Sequence, residues 1–387
     1  MIIVGVKKKI GDTVKTISPP VKLQSNEFKK IGKYPIVDQS QKYICGYSDD
    51  SSAIIPISKD GCVVFGDHTC ALKYIDFPFI QGADGIKILI SNNTNAVSTR
   101  YLYQFLNAFP IVSKEYKRHF SELKEKIFLY PLLIDEQDKI ADCLFAIDSC
   151  IASINEKIEQ LKAHKKGLMQ KLFPQNGQTV PEYRFPQFKN EEAWVPKAIK
   201  EVASVYQGYG FPDELQGKKE GRYPFIKVSD ISFAVKNGER HIRSSINYVD
   251  EFEINTLKAT PFPARTIIFA KIGEAIRLNR RVILNQASLF DNNVAGIKAN
   301  SEILNDDLLY YILSMLDLTI YAGGVVPAVK KTTLENIEIL LPKSKEEMSR
   351  IADTLVSYDN LFFAHKQKIN LLEQQKKSLI QQLFPKP

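Results

Sequence analysis

The chain has 387 residues, 44% of them hydrophobic and 25% charged, with a formal net charge of +8. Length and composition fit a soluble globular protein of two or more domains, and no apolar run approaches the roughly 18 residues a membrane span needs. The opening "MIIVGVKKKIGD" reverses the order of a secretory signal, and five cysteines, an odd number all in the first half, exclude a disulfide framework and point to a reducing cytoplasm.

In chain order, β-rich runs come first: "AIIPISKDGCVVFG" and "DGIKILI". A short helical pattern, "TRYLYQFLNAF", follows at 99–109. After Pro131 a long polar-apolar segment begins. Its apolar positions are Ile140, Leu144, Ile147, Ile151, Ile154, Ile158 and Leu161, then Leu168 and Leu172, with Lys165 as the one break. Steps alternating between four and three make a heptad seam on a helix from about Asp135 to Leu172, roughly 55 Å long. The second half repeats the order: the β-rich "RTIIFAKIG", a helical pattern at 306–317, the β-rich "NIEILLP", then Pro342 and a second long helix. Its seam reads Ile351, Leu355, Tyr358, Phe362, His365, Ile369, Leu372, Lys376, Leu379 and Leu383.

The repeat is explicit in the helix endings, "KKGLMQKLFP" (Lys165–Pro174) and "KKSLIQQLFP" (Lys376–Pro385). Phe173 falls on Phe384, a shift of 211 (384 − 173). The same shift puts Asp148 on Asp359, Pro131 on Pro342, and Gly85-Ile86-Lys87 on Gly296-Ile297-Lys298, with no insertion expected along that stretch. Nearer the start Gly32, Tyr34 and Pro35 match Gly221, Tyr223 and Pro224 at a shift of 189, so the second copy holds 22 extra residues (211 − 189), a longer loop or extra strand. A lone helix cannot hide such a seam from water. The second globular part begins close to the end of the first helix, so the second helix must run back along it. The expected fold is α+β: two mixed α/β domains, 1–132 and 175–341, separated by two long helices, 133–174 and 342–387, that form an antiparallel coiled coil with pseudo-two-fold symmetry. Each Leu-Phe-Pro ending then finishes beside the other half's globular domain.

Motifs for chemistry are few. "GVKKKIGDT" lacks the spacing, lysine and hydroxyl of a phosphate-binding loop, and no stretch matches the grip of a base methyltransferase. Cys45, Cys62, His68 and Cys70 lack Cys-x-x-Cys spacing, so buried thiols and a surface histidine are expected and no metal. Basic and amide side chains do gather on expected loops: Lys33, Gln39 and Gln41; His68, Thr69 and Lys73; Arg118; Arg222 and Lys227; Arg240 and Arg243; Lys271, Arg277, Asn279, Arg280 and Arg281; Lys330 and Lys331. Such groups neutralise phosphates and pair with purine edges, which makes these eighteen the candidate DNA contacts.

"PLLIDEQDKIADCLFAID" and "LPKSKEEMSRIADTLVSYD", each followed by the "K.GL.Q.LF" or "K.SL.Q.LF" ending, resemble the conserved helical regions of the DNA-specificity subunit of type I restriction-modification systems. The second copy departs from the pattern with Glu347-Met348 in place of Glu-Gln. "VVFGDHTCALKYIDFPFIQGADGIKIL" and "FAKIGEAIRLNRRVIL" are similar to stretches of its target-recognition domains. The resemblance implies a non-catalytic, sequence-specific binder of double-stranded DNA. Each recognition domain would read one half of a split target. The helices would set the gap and dock two adenine-N6 methyltransferase subunits, which two ATP-driven restriction subunits would join. S-adenosylmethionine, ATP and magnesium would belong to those partners and no cofactor to this chain. A stand-alone nuclease and a coiled-coil assembly protein are the alternatives that the residues alone leave open.

Overall fold

The computed structural model describes residues 5–112, 118–175 and 177–384. Pro385 of the second helix ending therefore lies outside it, as do Tyr116 and Lys117 of the basic run before Phe120. The chain divides into two compact units, residues 1–153 with 370–387, and residues 154–369.

In the first unit Gly5–Lys9 pairs antiparallel with Ile127–Pro131. A four-stranded sheet has the order Val14–Ile17, Ile86–Ser91, Cys62–Gly66, Leu72–Ile75. A second sheet is built on Phe79–Gly82, which runs parallel to Tyr34–Val37. The helix Thr99–Ala108 starts at Ser98, whose hydroxyl accepts from the Tyr101 amide. It buries Tyr101, Leu102 and Phe105 against Phe128 and Leu144.

The second unit repeats this plan. Val195–Ala198 pairs with Glu338–Leu341, and Ala203–Gln207, Val294–Ala299, Ile267–Ala270 and Arg281–Leu284 follow the same sheet order. Leu289–Phe290 runs parallel to Tyr223–Ile226. The ladders give the equivalence directly. Val6 faces Tyr130 and Val195 faces Leu341, which reproduces both shifts, 189 (195 − 6) and 211 (341 − 130). The middle is different. Val14 faces Ser91 and Ala203 faces Ala299, so this strand is displaced by 208 (299 − 91). The match of Gly85-Ile86-Lys87 to Gly296-Ile297-Lys298 is therefore corrected: Gly85 precedes its strand with φ +93°, whereas Gly296 lies inside one, opposite Tyr206. The helix caps Ser98 and Asn305 differ by 207, so four residues (211 − 207) are added after the second copy's helix Asp306–Met315. Of the 22 extra residues twelve fall in one place, judged from the facing pairs Tyr34–Ser48 and Tyr223–Val249 (26 − 14). Between strands Tyr223–Ile226 and Tyr248–Val249 lie the helix Val228–Lys236 and the short strand His241–Ile242.

The long helices run Ile134–Leu172 and Lys345–Leu383, 39 residues each, about 58 Å of rise apiece. All seventeen seam positions named for packing are buried or half-buried, while the off-seam Leu361 and Leu371 are 50% and 65% exposed. Each unit contains a stretch of both helices, packed together. In the second unit Lys165 pairs with Asp359, and Lys162, one turn earlier, lies over the ring of Phe362, one turn later, so the helices run in opposite directions. In the first unit Lys376 Nζ donates to both carboxylate oxygens of Asp148, at 2.6 and 2.8 Å. The lysine that interrupts each seam thus meets an aspartate from the other helix. The two pairs are images of one another under the 211 shift (359 − 148 and 376 − 165). A buried polar pair fixes register, because a slip of one heptad would leave a lysine in the seam without its carboxylate. A double-mutant cycle on Lys376→Ala and Asp148→Ala, read by urea unfolding, is expected to give a coupling of about 1 kcal/mol, discounted for partial exposure.

Each Leu-Phe-Pro ending sends its phenylalanine into a globular core. Phe384 is 1% exposed, with its ring 5.2 Å from that of Tyr101. Phe173 is 4% exposed and sits edge-on to Trp194 at 5.8 Å. The departure at Glu347-Met348 has a structural reason. Gln137, the counterpart of Met348, is fully buried, accepts from the Ser98 amide and donates to the carbonyls of Ala96 and Pro131. Met348 instead packs among Ile351, Leu355 and Trp194. The second copy thus replaces a backbone clasp with apolar contact.

Candidate nucleic-acid interface

In the first unit one edge collects the ends of several strands. Tyr34–Val37 ends there and leads into Asp38 and Gln39. Cys62–Gly66 ends there and turns through 67–70. Phe79–Gly82 ends there just before Ile86–Ser91 begins. The turns are tied to each other: Asp67 N donates to Gly85 O at 2.6 Å and Thr69 Oγ1 to Gln39 O at 2.6 Å. The amide of His119 donates to Asp67 O and that of Phe120 to Asp67 Oδ1, which places the exposed Arg118 beside the same turn. Gln39, His68, Thr69 and Arg118 are therefore brought together, and Gln41 is exposed on the adjoining loop. Glycine at position 85 keeps this edge open to Gln39, since a Cβ there would lie 2.8 Å from the amide of that side chain.

Two first-unit candidates fall elsewhere. Lys33 sits at the other end of its strand, exposed, 5.2 Å above the ring of Tyr34. Lys73 is only 4% exposed and donates to the carbonyl of Asp38 at 2.8 Å. It fixes the edge from inside and has no surface to offer a phosphate. Burial pushes its ammonium below the usual lysine range. Cys45 Sγ donates to Ile36 O at 3.2 Å, and burial pushes the thiols of Cys45 and Cys62 up to about 11 and about 12, away from the thiolate a metal binds. Among the described residues no group of three or more His, Cys, Asp and Glu could hold a metal ion.

The second unit builds the same edge with different side chains. Lys227 follows strand Tyr223–Ile226, Lys271 follows Ile267–Ala270, and Asp291 follows Leu289–Phe290. Asp291 N bonds to Ile226 O at 3.0 Å and Lys271 N to Asn293 O at 2.8 Å, so the three strand ends are contiguous. Burial pushes the Asp291 carboxyl up, while the Lys227 ammonium draws it back. The turn equivalent to 67–70 is five residues longer, judged from the facing pairs Val64–Lys73 and Ile268–Val282 (14 − 9), and carries a short helical segment Glu274–Leu278 with Arg277 exposed on it. Arg222 occupies the position of Lys33 (222 − 33 = 189) and likewise lies over the next ring, Tyr223, at 5.1 Å.

The remaining second-unit candidates are dispersed. Arg240 pairs with Asp307 at 2.6 Å. Arg243 lies over Phe363 of the second long helix. Arg281 is 3% exposed and bonds to Asn279 and to the carbonyl of Leu316. Asn279, in the left-handed region at φ +48°, donates to Ser314 O. Arg280 is half-buried beside it. Lys330 and Lys331 are exposed, the latter 3.6 Å from Glu335.

Sequence reasoning missed the loop 322–328. Gly273 N donates to Pro327 O and Val329 N to Lys271 O, which fastens this loop to the edge, with Val325 fully exposed and Val326 62% exposed at its tip. The signal available was "GGVVPAV": paired glycines and paired valines outside any helix or strand period.

The family model of the type I restriction modification DNA specificity domain matches residues 5–163 and 191–374. The chain belongs to this family. Among curated proteins, a putative type I restriction enzyme specificity subunit (MjaX) of Methanocaldococcus jannaschii is 28% identical over 320 residues, covering 77% of this chain and 70% of its own. The type I restriction enzyme EcoR124I/EcoR124II specificity subunit of Escherichia coli is 22% identical over 366 residues, with 91% and 86% covered. A solved type I restriction-modification S subunit from M. genitalium superposes with a TM-score of 0.73 at 15% identity, over 100% of this chain and 97% of that one, and so shares its fold. As a type I specificity subunit, the chain serves DNA recognition in a restriction-modification complex and is not its catalyst. No helix among the described residues is long and apolar enough to cross a membrane.

Proposed function

We propose that the two domains, 1–132 and 175–341, each read one half of a bipartite duplex target, and that the helical segments 133–174 and 342–387 set the gap and dock two methyltransferase subunits. The observation that carries this reading is the edge built twice on one strand scheme with different side chains. Gln39, His68, Thr69 and Arg118 line it in one unit; Lys227, Lys271 and Arg277 line it in the other, beside the 322–328 loop. A conserved scaffold with variable tips is what two unrelated half-sequences demand. Amides, hydroxyls and arginine suit base edges, lysines suit phosphates, and the valine tip suits a groove wall or a thymine methyl. Lys73 and Arg281 drop out as contacts, and Lys33 and Arg222 act at the far strand ends on phosphate alone. S-adenosylmethionine, ATP and magnesium act in the partner subunits, including restriction subunits, in the cytoplasm where the DNA lies.

Domain exchange tests this. Replacing 1–132 with the first domain of a relative, co-expressing a methyltransferase partner and mapping methylated adenines in genomic DNA is expected to change one half-sequence and leave the other and the gap intact. A change in both halves would remove the reading.

A further inference from the structure

Within the second unit a cleft of about 910 Å³ lies between the long helices, the inserted helix Val228–Lys236 and the end of helix Asp306–Met315. The insertion is held close: Gly238 turns with φ +75°, and a Cβ there would meet Phe362 at 2.4 Å. The lining is strongly cationic. Lys165 and Arg240 are neutralised by Asp359 and Asp307. Among the described residues Lys166, Lys236, Arg280, Arg281 and Lys366 have no carboxylate partner, and the other acidic side chain on the lining is Glu239. Arg281 lies at the floor of the cleft. It is 97% buried, its Nε has no hydrogen-bond partner, and its other bonds go to carbonyl and amide oxygens that carry no charge. Burial pushes its guanidinium down to about 10. No carboxylate among the described residues meets it at ion-pair distance, and Asp317 acts on it only at longer range, so its positive potential reaches the cleft from beneath.

The equivalent cleft of the first unit, about 650 Å³, keeps the counterparts Tyr103 and Asp148 of Tyr310 and Asp359, but its lining sets Asp76 and Asp148 beside Lys59 and Arg100, and Arg100 pairs with Asp142. Excess positive charge is thus particular to the second copy and is not demanded by the shared scaffold.

We propose that this second-unit cleft binds a small phosphorylated molecule, its phosphate held by the unpaired Lys166, Lys236, Arg280 and Lys366, with Arg281 adding positive potential from beneath, and its apolar part resting on Leu278 and Met315. The volume is that of a small-ligand pocket, about 300–1,000 Å³. A duplex presents phosphates on a convex surface, whereas these cations line a concave cleft. This site adjoins the segment Glu274–Leu278 of the strand-end edge but faces the long helices, and it does not depend on the bipartite reading.

The test uses the full chain titrated calorimetrically with inorganic pyrophosphate, with ATP, and with a short duplex lacking any target. Saturable one-to-one binding of pyrophosphate or ATP is expected, weakened by about tenfold or more in Lys166→Glu and Lys366→Glu, whose side chains make no ion pair. The melting temperature without ligand should be unchanged in both variants, and methylated-adenine mapping should return the same half-sequences. Absence of saturable binding by either phosphate compound, equal binding by wild type and both variants, or binding of the duplex alone would each overturn the proposal. Altered half-sequences with intact pyrophosphate binding would instead count against the bipartite reading.

Discussion

Glu347→Ala is expected to lower the unfolding free energy of the second unit by about 3–5 kcal/mol, the range for removing one partner of a buried ion pair. Glu347 is 1% exposed, and its two oxygens accept from Arg184 Nε and Nη2 at 2.7 Å each. Arg184 also donates to the carbonyls of Glu191 and Glu192. The guanidinium therefore clasps the connecting segment to the start of the second long helix. Truncating the carboxylate leaves a guanidinium that is 8% exposed with two uncharged carbonyls as its remaining hydrogen-bond partners. Replacing both partners, Arg184→Met with Glu347→Gln, should recover much of the loss, because no charge is then left uncompensated. Urea unfolding of the single and double variants measures this. A single-variant loss under about 1 kcal/mol would mean that the clasp is dispensable.

The second large effect follows from the mirrored lysine–aspartate pairs. Adding one heptad to each long helix, between Asp148 and Lys165 and between Asp359 and Lys376, lengthens each by about 10.5 Å and keeps both pairs available. The proposed spacer role then predicts a gap about three base pairs longer, at about 3.4 Å per pair, with both half-sequences unchanged. Adding the heptad to the first helix alone sets one pair out of register, and a poorly folded, inactive chain is expected. Methylated-adenine mapping reads out both cases. An unchanged gap after the paired insertion, or altered half-sequences, would defeat the spacer role.

The long helices were legible because a seam is a local statement: apolar residues at steps of three and four declare the buried face wherever the partner lies. Lys165 and Lys376 read only as breaks, since their carboxylates lie on another helix far along the chain. Strand burial misled in the opposite way. Lys73 shares the inward face of its strand with Ala71 and Ile75, and Arg281 precedes Ile283 on a core-facing strand, so period-two alternation marked both as interior although their chemistry suggested surface. The Gly-Ile-Lys match failed because three residues carry less information than a hydrogen-bonded ladder. The 322–328 loop was illegible as part of the edge because what places it there is a set of backbone bonds to residues about fifty positions earlier.

The mirrored pairs have one more consequence. Each repeat contains both an Asp and a Lys of the lock, Asp148 with Lys165 and Asp359 with Lys376. A half-length chain is accordingly its own complement: two copies laid head to tail would seat each lysine on the sister copy's aspartate and each terminal phenylalanine in the sister's core. The fused chain carries two copies of such a half, each with both members of the lock. Joining the halves frees each of them to diverge, so a palindromic preference can become an asymmetric one without any change to the stem that unites them.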